Sequence, residues 1–272
     1  MQHRALLMTT MVLAALTQPA WAIINGELDI ANEFSNVGAI LLVVPPVSQP
    51  ELPVPRVQCS CTLIAPNVVL TAGHCAALFQ RVIGLGEATL GSFRVSFGVD
   101  AFDPDTWLEL EAIMTHPDFS PNGGFADLGA IILTQPAQGV EPAALPALGM
   151  LDELKGAGEF QPTEAAFTIA GYGRFDPALP PDGQRRFAPT GYLALTPDWL
   201  ILDTNPVRGF GAGAQFDSGG ACIHIAADGT RTVVGTHFSS VGEGHEAAGW
   251  DTRLDTQQMI DFIADVVESV EP

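Results

Sequence analysis

Basic residues are scarce in this chain of 272 residues. Eleven lysines and arginines, only one of them a lysine (Lys155), stand against 31 aspartates and glutamates, for a formal net charge of −20. That deficit argues against nucleic-acid binding through phosphate contacts and reads as a solvated acidic surface. Cysteine is rarer still, and Cys59, Cys61, Cys75 and Cys222 lack the CxxC pairs of a zinc site. Beyond the first 22 residues no apolar run is long enough to span a bilayer, so no stable membrane insertion is expected. No segment recurs at a fixed period.

The chain begins with a short positive start, "MQHR", an apolar run, "ALLMTTMVLAAL", and a small-x-small site, "AWA". Together these read as a secretory signal over residues 1–22, with no cysteine at its end to take a lipid. A secreted or periplasmic protein follows, in which four cysteines suggest two disulfides with three connectivities open. Residues 23–272 suffice for one large all-β domain or two small ones, and 28 glycines with 21 prolines suit a turn-rich β protein.

Short apolar segments such as "VGAILLVV", "RVQCSCTLI", "NVVLTA", "FRVSFGV", "LGAIILT", "AFTIAGYG", "GYLALT", "ACIHIA" and "RTVVGTHF" recur between turn signals, the pattern of a sandwich or barrel. A Pro/Ala/Gly-rich stretch, residues 134–149, interrupts them near the middle. The end reads as one amphipathic helix, with Asp255 as N-cap and Met259, Ile260, Ile263, Val266, Val267 and Val270 at helical spacing.

A hydroxyl nucleophile needs a base to take its proton and an acid to orient that base. Three segments offer these parts in the order His, Asp, Ser: "CTLIAPNVVLTAGHC" with His74, "THPDFSPNGGFADLGAIIL" with Asp127, and "DSGG" with Ser218. They resemble the "TAAHC", "HPxY…DIALL" and nucleophile motifs of the trypsin/chymotrypsin-like serine peptidases. "AGYGRFD" and "GWDTRL" are similar to that family's "GWG" and "GVYTRV" segments, so the resemblance runs from Ile23 to the C-terminal helix. His116 in the second motif reads as structural. "HEAAG" at His245 lacks the second histidine of a zinc protease, and "GLGEATLG" lacks the end of a phosphate loop.

The resemblance implies an all-β, chymotrypsin-like fold of two six-stranded antiparallel β-barrels with a C-terminal α-helix. The first barrel would span about 23–133, a connection about 134–160, the second barrel about 161–254 and the helix about 255–270. It implies an endopeptidase acting on proteins or peptides without metal or organic cofactor, by a His74–Asp127–Ser218 triad, with the N–H groups of Phe216 and Ser218 as oxyanion hole. It also implies a Cys59–Cys75 disulfide, leaving Cys61 with Cys222, and an activation pair of Asp217 with an N-terminus created at Ile23. Ala212, Ser240 and Gly249 would line a neutral specificity pocket for small or medium apolar side chains, with Phe238, Ser239 and Val241 nearby.

One residue departs from the family pattern. Phe216 stands where glycine is usual, and two outcomes follow. Either the ring lies along the cleft and restricts the substrates, or the preceding peptide flips, removes one oxyanion donor and leaves a peptidase-like binding protein with little turnover.

Overall fold

The structure, a computed structural model, describes residues 23–161, 164–176, 178–240 and 248–270. The proposed signal, Val241 and His245 lie outside the described residues. In chain order the strands of the first half are β1 (Glu27–Leu28), β2 (Val37–Leu42), β3 (Arg56–Ala65), β4 (Val68–Thr71), β5 (Phe93–Ser96), β6 (Trp107–Leu108), β7 (Leu110–Thr115) and β8 (Gly129–Leu133). Those of the second half are β9 (Phe167–Gly171), β10 (Arg186–Leu195), β11 (Trp199–Asp203), β12 (Ala221–Ile225), β13 (Arg231–Ser240) and β14 (Ala248–Arg253). Three α-helices join them: α1 (Gly73–Gly84), α2 (Met150–Ala157) and α3 (Gln257–Glu268).

All pairings between named strands are antiparallel, and they form two barrel-like sheets. The first has the order β6-β5-β2-β3-β4-β8-β7 and is nearly closed. The second has the order β1-β10-β11-β14-β13-β12-β9, and because β9 pairs with β10 as well as β12, six of its strands form a closed ring. The seventh, β1, adds to β10 from outside, so the start of the described chain belongs to the second barrel and not the first. This is the chymotrypsin-like architecture.

Side-chain alternation explains how the barrels fill and meet. On β2, Ile40 and Leu42 point into the first barrel while Ala39 and Leu41 point outward against Tyr172, so the whole strand is buried. On β3, Cys59, Cys61 and Leu63 share the inward face, and Ser60 between them faces the second barrel. The second core gathers Ile23, Leu151, Ile169, Leu200, Leu202, Cys222 and Val234. A third cluster lies between the barrels and α3, where Val68, Leu70 and Ile132 meet Ile223, Val233, Met259, Phe262, Ile263 and Val266.

Alternation also corrects the second disulfide. Cys59 and Cys75 are bonded, but Cys61 and Cys222 are separate buried thiols. The strand does pass the segment after Ser218, yet it presents Ser60 there, while Cys61 turns into the first core and Cys222 into the second. Asp255 likewise does not cap α3, whose N-cap is Thr256. It is buried instead, accepting from the Leu151 N–H at 2.8 Å and from the Arg253 guanidinium at 2.9 Å.

Candidate active site

His74 is the second residue of α1, placed there by the end of β4. The helix buries Cys75, Ala76 and Phe79 in the first core, and the Cys59–Cys75 bond pins the turn that carries the imidazole. Asp127 is fully buried and grips that turn twice: Oδ1 accepts from the His74 backbone N–H at 2.6 Å, and Oδ2 meets Nδ1 at 2.8 Å. Glycine at position 73 lets the turn close tightly, because a Cβ there would lie 2.9 Å from the Leu128 nitrogen and 3.1 Å from Asp127 Oδ1. A carboxylate can only accept, so Nδ1 carries the proton and Nε2 the lone pair of a base. The imidazole side chain is 37% exposed although its carboxylate partner is fully buried.

Residues 213–220 bring Ser218 to the same seam. The Ser218 carbonyl accepts from the Ser60 N–H at 2.9 Å, and Gly219 and His237 link at 2.8 Å. A Cβ on Gly219, whose φ is +86°, would lie 2.2 Å from Thr71 Oγ1, so the loop is pressed against the strand that delivers the histidine. The Ser218 hydroxyl donates a long bond of 3.5 Å to the Phe238 carbonyl. His74 packs its ring edge on Phe238 at 5.9 Å. Among the described residues the serine and histidine side chains share this neighbour without a hydrogen bond to each other. A serine rotamer change redirects the hydroxyl, and such contacts often close only with substrate present.

The fold accommodates Phe216 without flipping the peptide before it. Its φ is 78°, a left-handed conformation natural for glycine and strained for phenylalanine by about 1–3 kcal/mol. The ring packs on the cluster of Leu41, Val57 and Tyr172, beside Phe102. The preceding peptide keeps its carbonyl turned away, because the Gln215 carbonyl accepts from the Arg174 N–H at 2.9 Å. The Phe216 carbonyl in turn accepts from Ser60 Oγ at 3.2 Å. The N–H groups of Asp217, Gly219 and Gly220 are all engaged within the fold, whereas those of Phe216 and Ser218 donate to no described residue. Two backbone donors of this loop are thus left without a described acceptor.

Asp217 is buried, and its oxygens accept from the N–H groups of Gly173 at 2.7 Å and Ala214 at 2.9 Å. Burial pushes its pKa up to about 6, although those bonds and the charges of His237 and Arg186 pull the other way. Ile23, its expected partner, is buried in the second core, and the neighbouring Ile24 pairs with Ala212 through bonds of 2.9 and 3.1 Å. Ser240 lies opposite Gly249 and donates to the Gly213 carbonyl at 2.8 Å, which ties β13 to the loop of Ser218. His116 is buried, with Nδ1 accepting from the Asp118 N–H, and has no place in the site.

The sequence reading missed a second buried histidine–carboxylate pair, His237 Nδ1 with Asp251 Oδ1 at 2.8 Å. The imidazole lies so close to Gly213 that a Cβ there would be 2.3 Å from Nε2. Burial lowers the pKa of His237, but the bond and charge of Asp251, with Asp217 and Asp127 nearby, leave it above the ordinary value. The available signal was a histidine in one strand and an aspartate in the next. A register shift between His237 and Ser239 hides their pairing from any spacing rule.

The family model described as Trypsin matches residues 47–186. The match takes in His74 and Asp127 and ends before the loop of Ser218. None of the curated proteins matches the chain.

Proposed function

Because the chain belongs to the trypsin family, we propose that it is an exported serine endopeptidase working through His74, Asp127 and Ser218. The observation that carries this reading is that the N–H groups of Phe216 and Ser218 donate to no described residue, in a loop on the seam that also holds the His74–Asp127 pair. Ser218 attacks the scissile carbonyl while His74 Nε2 takes its proton. The oxyanion is held by the two N–H groups, and the amine leaves with the proton returned from His74. Water then repeats the sequence on the acyl-enzyme, and Asp127 orients the imidazole and stabilises its charged form in both halves.

The specificity pocket of Ala212, Ser240 and Gly249 accepts small or medium apolar side chains. Ala212 stands at its floor where a basic side chain would need an acid, and the charge of His237 is matched by Asp251. In a cleavage profile, a preference for Lys or Arg before the scissile bond would defeat this assignment, and a preference for acids would show that His237 reaches the substrate. Export is supported by the Cys59–Cys75 disulfide, which suits an oxidising compartment. Removal of residues 1–22 would free an ammonium at Ile23 for Asp217, whose raised pKa is that of a carboxylate short of positive charge.

A serine-directed phosphonate tests the proposal. Wild type is expected to be labelled at Ser218 and Ser218→Ala not at all, with the labelled protein starting at Ile23. Failure to label the wild type would leave a peptidase-like binding protein, and labelling of a form starting at Met1 would remove the activation step.

A further inference from the structure

A cavity of about 240 Å³ opens beside Phe216. Its walls come from three separated stretches: Pro55 and Arg56 at the start of β3, Phe102 after β5, and Arg174 with Pro181 before β10. The rings of Pro55, Phe102, Pro181 and Phe216 make it apolar, while Arg56 and Arg174 make it positive, and no acidic residue is among the described residues that line it. Two of only 11 basic residues therefore converge on one small cavity in a chain of net charge −20. The Arg174 guanidinium lies over the Phe216 ring, 5.5 Å from its centre, so the residue in the glycine position also supports one of the two charges.

The cavity's place relative to Ser218 gives it a role. The Ser218 hydroxyl is turned to the Phe238 carbonyl on β13, beside Ser240, Gly213 and Gly249, so the acyl half of a substrate belongs on the second-barrel side. The Phe216 ring packs against Val57 of the first barrel. A peptide crossing Ser218 from β13 therefore departs past Phe216.

We propose that this cavity receives the side chain that follows the scissile bond and selects Asp or Glu there through Arg56 and Arg174. The proposal rests on Ser218 being the nucleophile. An aspartate or glutamate carries a short apolar stem and a planar carboxylate, which fit proline and phenylalanine walls ending in guanidinium donors. Lysine or arginine at the same place meets like charge, and a neutral side chain gains only the apolar contact.

The test separates the cavity from the chemistry. Peptides identical on the acyl side and carrying Glu, Gln or Lys at the first or second position after the bond are titrated into Ser218→Ala by calorimetry. The Glu peptide is expected to bind about tenfold more tightly than the Gln peptide, as a charge-assisted pair should, and the Lys peptide least well. The preference should shrink between low and high salt. Arg174→Glu in the same background should reverse the order, and Arg56→Gln should weaken it. Equal binding of the Glu and Lys peptides, no measurable binding of any of them, or an order unmoved by both arginine changes overturns the proposal. Phosphonate labelling of the wild type is read independently. An acid preference without labelling removes the nucleophile and keeps the cavity, whereas labelling without the preference does the reverse.

Discussion

Asp217 shows how one side chain ties stability to activation. An ordinary aspartate releases its proton near pH 4, but this buried one holds it to about 6. At low pH both the folded and unfolded chains keep the proton and ionisation contributes nothing. As pH rises from 4 to 6 the unfolded chain ionises first, so the folded state loses stability, and above 6 the loss is complete. His237, with its pKa raised above the ordinary value, stays protonated through this window and adds little slope of its own. In the chain that retains residues 1–22, the stability of the wild type relative to Asp217→Asn should therefore fall between pH 4 and 6, measured by denaturant midpoints. A flat difference would mean that the carboxylate already has a full counter-charge. In a form beginning at Ile23 the slope should vanish, because an ammonium lowers the folded pKa.

At the scale of elements, β3 decides three properties through one alternation. Its inward face holds the disulfide Cys59 and the free Cys61, and its outward Ser60 bonds the loop of Ser218. Burial pushes both remaining thiols up, with Asp251 adding to the effect at Cys222, so neither is a ready nucleophile in the fold. Alkylation of the unreduced protein should modify no cysteine when native and Cys61 and Cys222 when unfolded. A Cys61–Cys222 peptide in non-reducing mapping would contradict the register. Much of this level was legible in the sequence: "RVQCSCTLI" and "RTVVGTHF" read as strands, and α3 as an amphipathic helix. The segment "LEAIMT" of β7 was not, because it mixes good helix formers with one acid, and α1 was hidden behind the apolar strand that precedes it. His74, Asp127 and Ser218 stood out because each sits in a local motif. His237 and Asp251 did not, since only the β13–β14 register joins them. Phe216 was visible as a departure, but where its ring goes depends on Leu41, Val57 and Tyr172, far away in the chain.

At the scale of the molecule, the site depends on two barrels keeping their relation. Arg185, fully buried next to β10, spans the seam: it pairs with Asp29 at 2.8 Å and donates to the carbonyls of Val37 and Phe97 and to the Tyr172 hydroxyl, with Asn32 on its remaining arm. Removing one partner of such a pair strands the other, so Arg185→Ala should cost about 3–5 kcal/mol in chemical denaturation. A loss below 1 kcal/mol would show that the barrels do not rely on it. The proposed chemistry requires these barrels to assemble a finished oxyanion hole even with phenylalanine in the glycine position. Steady-state kinetics of Phe216→Gly on a set of ester and peptide substrates measures this most directly. If the hole is already formed, kcat should stay within about tenfold of wild type, since glycine adopts the same φ, and the range of accepted peptides should broaden; Ser218→Ala should lose on the order of a millionfold. A gain of about a hundredfold or more on every substrate alike would contradict the claim, because that is the cost of one missing donor.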